Sequence, residues 1–377
     1  MQQFRFTPYE LPASAASLRS AVRDFARGWT ADMSSAERAH SWSGGNPAFS
    51  RALGERGWLG MTWPTQYGGH ARPMAERYVV IEELLAAGAP VGAHWVADRQ
   101  SGPLLLRFGT EEQRQRFLPG IARGENFFCI GMSEPNSGSD LASVRTRARK
   151  VEGGWRINGQ KIWTSGAHRA HVMIALVRTG DEETRHAGLS QFLIELKKAE
   201  GLTVKPIVDL SGKHHFNEVF FDDVFVPDAN LIGNAGDGWR QVTAELAYER
   251  SGPERYLSSL RLFLEFLRVV GPKPSEAERL LIGRIAAELW TLRQMSLSVM
   301  GLLGAGENPA VEAAIVKDIG TSFEQAIPKD IQSLAPAGDA TFQAVLSHLL
   351  KSAPSFSLRG GTREILRGII ARELGLR

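Results

Sequence analysis

What the 377-residue chain lacks narrows its nature first. It has a single cysteine, Cys129, so no disulfide can close within it and no cysteine-built zinc centre can form; a reducing compartment, the cytoplasm, is expected. No apolar run reaches the ~18 residues that a membrane helix needs, and the opening MQQFRFTPYE carries no leader pattern, so no membrane span is expected. Charge of one sign is not in excess either. Lys and Arg number 44 against 41 Asp and Glu, and they are dispersed, which argues against a nucleic-acid surface. Internal repeats and low-complexity tracts are absent.

What is present is an ordinary globular composition, 43% apolar and 23% charged. The chain is longer than one hydrophobic core usually supports, so two or three domains are expected. From about residue 14 to 120 apolar residues recur at helical spacing, as in SLRSAVRDFARGW and RYVVIEELLAAG, with a Gly/Pro-rich turn, MTWPTQYGGHARP, between them. Between about 125 and 235 the texture changes to short β-branched and aromatic runs, FFCIGM, GWRINGQKIW, HVMIALVRT, LSQFLIEL and NEVFFDDVFVP, punctuated by Gly, Asn and Asp. Long helical segments return from Trp239 onward, including ERLLIGRIAAELWTLRQMSLSVMGLL and TREILRGIIAREL. The order predicts an α+β protein divided at 1–124, 125–236 and 237–377, with a mostly antiparallel sheet in the middle.

Three stretches could carry chemistry. MSEPNSGSD, Met132 to Asp140, follows an apolar strand and offers hydroxyls, a carboxylate and a flexible glycine, although turn geometry selects the same residues. GWRINGQKIWTSGAH places a hairpin signal at Asn158-Gly159, with the returning strand ending in Trp163-Thr164-Ser165. An aromatic wall beside hydroxyl donors suits a flat heteroaromatic ligand. The third stretch, ELAYERSGPERYL, reads as the opening of a helix with Glu249 and Arg250 in its first turns. Glu249 is there either a solvated carboxylate facing Glu245 at i, i+4 or a buried base. His168 and His171, at i, i+3, read as polar packing at a strand start rather than as a metal site, and no metal is expected. Cys129, inside an apolar strand, reads as a small core residue.

MSEPNSGSD followed at this distance by GWRINGQKIWTSGAH resembles the flavin-contacting segments of the acyl-CoA dehydrogenase family. LGERGWLGMTWPTQYGG, NEVFFDDVFVPDANLIG and GGTREILRGIIAREL are similar, in order, to that family's N-terminal domain, its β-domain exit and its last helix. The resemblance implies an N-terminal α-helical domain, a middle β-barrel-like domain and a C-terminal four-helix bundle, with FAD between the β-domain and the bundle. It implies an enzyme that removes the α-proton of an acyl-CoA with a glutamate while hydride leaves the β-carbon for flavin N5, with electron-transfer flavoprotein as acceptor.

Carried over residue by residue, the resemblance places Met132 and Ser133 on the flavin's polar edge, Trp163 against the ring, Ser165 at N5, and Ser139 near the CoA pyrophosphate or the flavin phosphates. Most members hold the base in a YEGT-like turn, but the matching residues here are Arg359-Gly360-Gly361-Thr362. A minority set the glutamate before an arginine in the first helix of the bundle, and Glu249-Arg250 matches them. Gly360 then retains a backbone donor for the thioester oxygen. Arg250 either orients the base or pairs with Glu254 on an exposed face. A base facing an apolar acyl channel loses hydration, which raises its pKa toward the range useful for proton transfer.

Two segments that complete a neighbour's FAD site in the family's tetramers are damaged. An Arg-x-x-Phe-Gly segment survives only as Arg268-Val269-Val270-Gly271, and a Gln-x-x-Gly-Gly-x-Gly loop as QSLAPAG, where Gln332 remains but Ala335 and Pro336 replace the glycines. The expected assembly is an α2β2 heterotetramer with a paralogous subunit, the alternative being a homo-oligomer. Rival functions are a noncatalytic subunit completing a partner's FAD site and an oxidase or monooxygenase on the same fold.

Overall fold

The computed structural model describes residues 4–181, 184–248, 250–334 and 338–376. Their contacts separate into two units, one of residues up to 44, 72–91 and 247 onward, the other of 45–71 and 92–246.

The second unit is built on a seven-stranded sheet: β1 (Phe128–Gly131), β2 (Arg147–Val151), β3 (Gly154–Lys161), β4 (Val172–Arg178), β5 (Leu189–Glu195), β6 (Leu202–Val208) and β7 (His214–Pro227). They lie in the order β1-β4-β2-β3-β7-β6, with β5 also on β4. The pairing is antiparallel apart from β1 and β2 against β4. Every residue of β4 is buried, as its unbroken apolar run requires. One core cluster joins Ile157, Met173, Phe192 and Val219. A second packs Phe128, Ile174 and Leu193 with Trp63, Leu105 and Leu118, the last two from α5 (Gly102–Phe108) and α6 (Glu111–Ala122). Cys129 is fully buried and its thiol is an inert core group, as the sequence suggested. In this unit lie also α3 (Pro47–Glu55), N-capped by Asn46, and the start of α7 (Gly238–Tyr248).

Here the sequence reading needs its first correction. Asn158-Gly159 is not a hairpin turn. β3 runs straight through it, and the chain reverses instead at Glu152-Gly153, where Gly153 has φ +73°. Gly159 (φ +143°) marks a bulge against β7, and a Cβ there would sit 2.6 Å from Thr146 Oγ1. Asn158 uses its side chain to accept from Asp223 N–H at 2.8 Å, across the bulge. The strands β2 and β6, RARKV and LTVKPIV, lie outside the predicted runs, because their charged or exposed faces weaken the apolar signal.

The first unit is helical: α1 (Ala13–Thr30), α2 (Ser35–Arg38), α4 (Met74–Ala87), α8 (Leu260–Val270), α9 (Glu276–Gly304), α10 (Ala310–Ser333), α11 (Ala340–Ser352) and α12 (Arg363–Glu373). α1 packs on α4, α4 on α9, and α10 on α9, α11 and α12. Ser275 opens α9 with a reciprocal capping box to Glu278, and Thr362 caps α12 by accepting from Ile365 N–H. No helix among the described residues is long and apolar enough to cross a membrane.

A second correction concerns ELAYERSGPERYL. It is not the opening of a helix: α7 ends at Tyr248, a single 3-10 turn follows at Pro253–Arg255, and α8 begins only at Leu260. Gly252-Pro253 explains the break, since proline lacks the amide and forces the preceding residue out of the helical region.

Candidate active site

The MSEPNSGSD stretch folds around its glutamate. Glu134 and Ser137 exchange backbone hydrogen bonds at 2.8 and 3.0 Å, closing a tight turn over Pro135-Asn136. The Glu134 carboxylate accepts from Arg145 N–H (2.7 Å), Thr146 N–H (2.9 Å) and Lys161 Nζ (2.7 Å). Lys161 ends β3 facing inward, fully buried, and also donates to the Met132 carbonyl at 3.0 Å. Burial lowers the Lys161 pKa to about 8, with Glu134 pulling against it. Burial alone would raise the carboxyl of Glu134, but Lys161 and the amide donors hold it below its ordinary value.

The same arrangement joins two of the predicted stretches. Ile162 N–H donates to Ser133 O at 2.9 Å, so Met132-Ser133 and Trp163-Thr164-Ser165 lie side by side. Met132 packs against the buried cluster of Val144, Leu176, Leu189 and Val242, while Ser133 and Ser165 are half-buried. Trp163 has φ +59°, a strained value for a tryptophan, and its ring is 57% exposed, edge-on to Phe216. Thr164 is buried, and its Oγ1 has no hydrogen-bond partner among the described residues. Ser139 is exposed at the loop tip beside Asp140, which pairs with Arg185 at 2.6 Å. A groove of about 390 Å³ runs from Glu134, Asn136 and Ser137 to Ser143, Arg145 and Gln160.

The histidines are as polar as expected, with definite tasks. His171 Nδ1 accepts from Phe127 N–H at 3.0 Å, and its ring stacks on Phe127. His168 stacks on His214 with centroids 3.9 Å apart. Among the described residues no three His, Cys, Asp or Glu side chains form a metal-holding group.

In the helical unit the turn before α12 is built from Gly360 (φ +65°) and Gly361 (φ +96°), conformations that disfavour any side chain. Lys317, fully buried in α10, donates from Nζ to Gly361 O at 2.6 Å. Burial, followed by Arg255, Arg359 and Arg250, lowers its pKa to about 7. A Cβ on Gly360 would meet Arg255 Nη2 at 3.0 Å, and one on Gly361 would meet Arg250 Nη2 at 3.8 Å. Arg250 and Glu254 are buried, at 5% and 1% exposure, so the reading of that pair as an exposed-face contact is wrong. Glu249 lies outside the described residues. Arg359 lies against buried Glu324 (3.3 Å) and over the rings of Trp42 and Phe356.

Family models match almost the whole chain: "Acyl-CoA dehydrogenase, N-terminal domain" over residues 13–125, the middle domain over 129–224 and the C-terminal domain over 264–375. The chain belongs to the acyl-CoA dehydrogenase family. These are oxidoreductases acting on a CH–CH bond, and the α+β fold with its helical C-terminal region is that family's fold. Acyl-CoA dehydrogenase IpdE1 of Mycobacterium tuberculosis is 34% identical over 380 residues, covering 93% of this chain and 96% of its own. Acyl-CoA dehydrogenase FadE34 of the same organism is 34% identical over 328 residues, and the match takes in 86% of this chain but only 45% of FadE34. Among solved structures, the Tcur3481-Tcur3483 steroid ACAD superposes with a TM-score of 0.87 at 28% identity, covering 98% of this chain and 100% of that one. The ChsE4-ChsE5 complex of M. tuberculosis gives 0.84 at 27% identity, over 98% and 100%.

Sequence reasoning passed over Glu134, Lys161, Asn217 and Lys317. A signal existed for Lys161, which shares the inward register of Trp155 and Ile157 at a strand end. None existed for Lys317, whose place in α10 resembles any helical lysine until packing buries it.

Proposed function

We propose that this chain, with FAD, catalyses the α,β-dehydrogenation of an acyl-CoA thioester to a trans-2-enoyl-CoA and passes the electrons to an electron-transfer flavoprotein. The observation that carries the reading is the Ile162-to-Ser133 bond, which sets both predicted flavin-contact stretches side by side. The residues present fit a flat heteroaromatic group: an exposed tryptophan ring stands next to a buried hydroxyl, Thr164 Oγ1, that lacks a partner among the described residues. FAD, when bound, supplies the hydride acceptor. Met132 and Ser133 would line its polar edge, Trp163 would flank it, Ser165 would hydrogen-bond it, and Ser139 would serve the phosphates of FAD or CoA.

Glu249 takes the α-proton as general base, with Arg250 beside it in the substrate site. Gly360, having no side chain, offers its backbone N–H to the thioester oxygen, where negative charge develops as the proton leaves. Visible spectroscopy tests the reading. A yellow protein bleached by one class of acyl-CoA, steroid side-chain thioesters included, supports it; a protein that is colourless both alone and with its paralogue, or one that no acyl-CoA bleaches, refutes it. Glu249→Gln abolishes turnover if the base is assigned correctly, and unchanged turnover favours the noncatalytic-subunit alternative.

The assembly proposed is an α2β2 heterotetramer with a paralogue. Arg268, the remnant of the segment that serves a neighbour's FAD, is held in its own chain by Asp339 (2.7 Å) and Glu265 (2.7 Å). The ChsE4-ChsE5 relative is itself named as a complex. Co-expression with a paralogue tests this, and full flavin content for the chain alone argues for the homo-oligomer.

A further inference from the structure

Trp163 stands in a left-handed backbone conformation with its ring largely in solvent. Such a residue carries backbone strain and persists only where its surroundings over-determine it. The over-determination comes from one residue that the sequence reading did not single out, Asn217 of β7, acting through its backbone carbonyl and its side chain together. It is fully buried. Thr164 N–H donates to the Asn217 backbone carbonyl at 3.0 Å, and the Asn217 side-chain Nδ2 donates back to the Thr164 carbonyl at 2.9 Å. The residue after Trp163 is therefore gripped through both its backbone groups. One position further, Gly166 N–H donates to the His215 carbonyl at 2.9 Å.

The carboxamide is itself locked. A backbone carbonyl can only accept, so the Asn217 atom facing Thr164 O must be the nitrogen, and the remaining atom is the oxygen. That oxygen lies 3.1 Å from His168 Nδ1 and 2.7 Å from His214 Nε2. Both imidazoles therefore donate, which fixes their tautomers, and they stack at 3.9 Å and 27° over the amide. Burial, then His214 and Arg169, keep the His168 imidazole below its ordinary pKa, which favours its neutral form. Both rings are exposed on their outer side.

We propose that Asn217 is the positioning residue of the flavin edge: it clamps Thr164 so that Trp163 and Ser165 are presented to the flavin, and the His168–His214 pair holds its carboxamide in the one orientation that can do so. This rests on the reading of Trp163 and Ser165 as flavin contacts. Asn217 touches no reacting atom; it acts through Thr164. Replacement by the isosteric Asp turns the donor facing Thr164 O into a second oxygen, so attraction becomes repulsion while the contacts from both histidines are kept.

The test uses the full chain, with its paralogue if that is needed for flavin retention. FAD affinity is measured by quenching of tryptophan emission, together with the vibrational structure of the visible flavin band and the thermal midpoint. Asn217→Asp is expected to weaken FAD binding about tenfold or more and to blur the visible band. His168→Gln and His214→Gln, which keep an N–H donor, are expected to stay within about threefold of the parent, whereas the doubly substituted His168→Phe/His214→Phe chain follows Asn217→Asp. If Asn217→Asp does not accumulate, the double histidine variant, altered only at the surface, decides. Parent-like FAD affinity and spectrum in Asn217→Asp or in the double variant overturns the inference. A parent that binds no FAD in any assembly instead refutes the flavin reading beneath it.

Discussion

Lys161 Nζ and Glu134 Oε1 lie 2.7 Å apart, the amine fully buried and the carboxylate half-buried, and the pair ties the end of β3 to the loop after β1. Removing Lys161 leaves that carboxylate without its counter-charge, which costs about 1–3 kcal/mol. Lys161→Met should therefore lower the urea midpoint sharply and loosen the Met132-Ser133 segment. Adding Glu134→Gln should restore part of the loss, because a neutral amide needs no counter-charge. A double variant as unstable as the single one would show that the lysine serves packing alone.

Gly159 is required by both conformation and clearance. Gly159→Ala should destabilise by about 2 kcal/mol, since φ +143° strains any Cβ and Thr146 Oγ1 stands 2.6 Å from where it would go. Equal thermal midpoints for parent and variant would contradict the bulge.

Trp163 offers the opposite case. Trp163→Gly relieves a strained φ of +59° but gives up the ring's partial burial against Phe216, two effects of similar size, so stability of the flavin-free protein should stay within about 1 kcal/mol of the parent. FAD affinity should fall by about tenfold or more as the aromatic wall is lost. Loss of stability without loss of flavin would reverse the assignment.

Lys317 gives a pH signature. Its pKa, lowered to about 7 from 10.5, means that the unfolded chain binds more protons than the folded one between those values. Stability from this group therefore rises with pH across the window of about 7 to 10.5, at up to about 1.4 kcal/mol per unit. Lys317→Met has no such proton to lose. The parent's urea midpoint, taken relative to Lys317→Met, should climb from pH 7 to pH 9.5; a flat difference would mean that the amine stays solvated.

Much of the architecture was readable before any coordinates. Apolar spacing in RYVVIEELLAAG marked α4, the unbroken run HVMIALVRT marked β4, and the paired motifs MSEPNSGSD and KIWTSGAH marked the family. Local pattern suffices there because hydrophobic period and turn chemistry act over a few residues. It failed at Asn158-Gly159, where the same dipeptide serves a turn or a bulge and only the opposing strand β7 decides which. It failed at Gly252-Pro253 for a related reason: the pair ends one helix and delays the next, and neighbouring apolar residues do not reveal the gap.

The sequence by itself determined the fold class and the family. Tertiary structure alone decided that Lys161 meets Glu134, that Asn217 grips Thr164 beneath two stacked histidines, and that Lys317 reaches the Gly360-Gly361 turn. These partners are 27, 53 and 44 residues apart in the chain. Burial is a property of the assembled whole, so a lysine's lost hydration, and the charge or carbonyl that compensates it, cannot be read from the letters beside it.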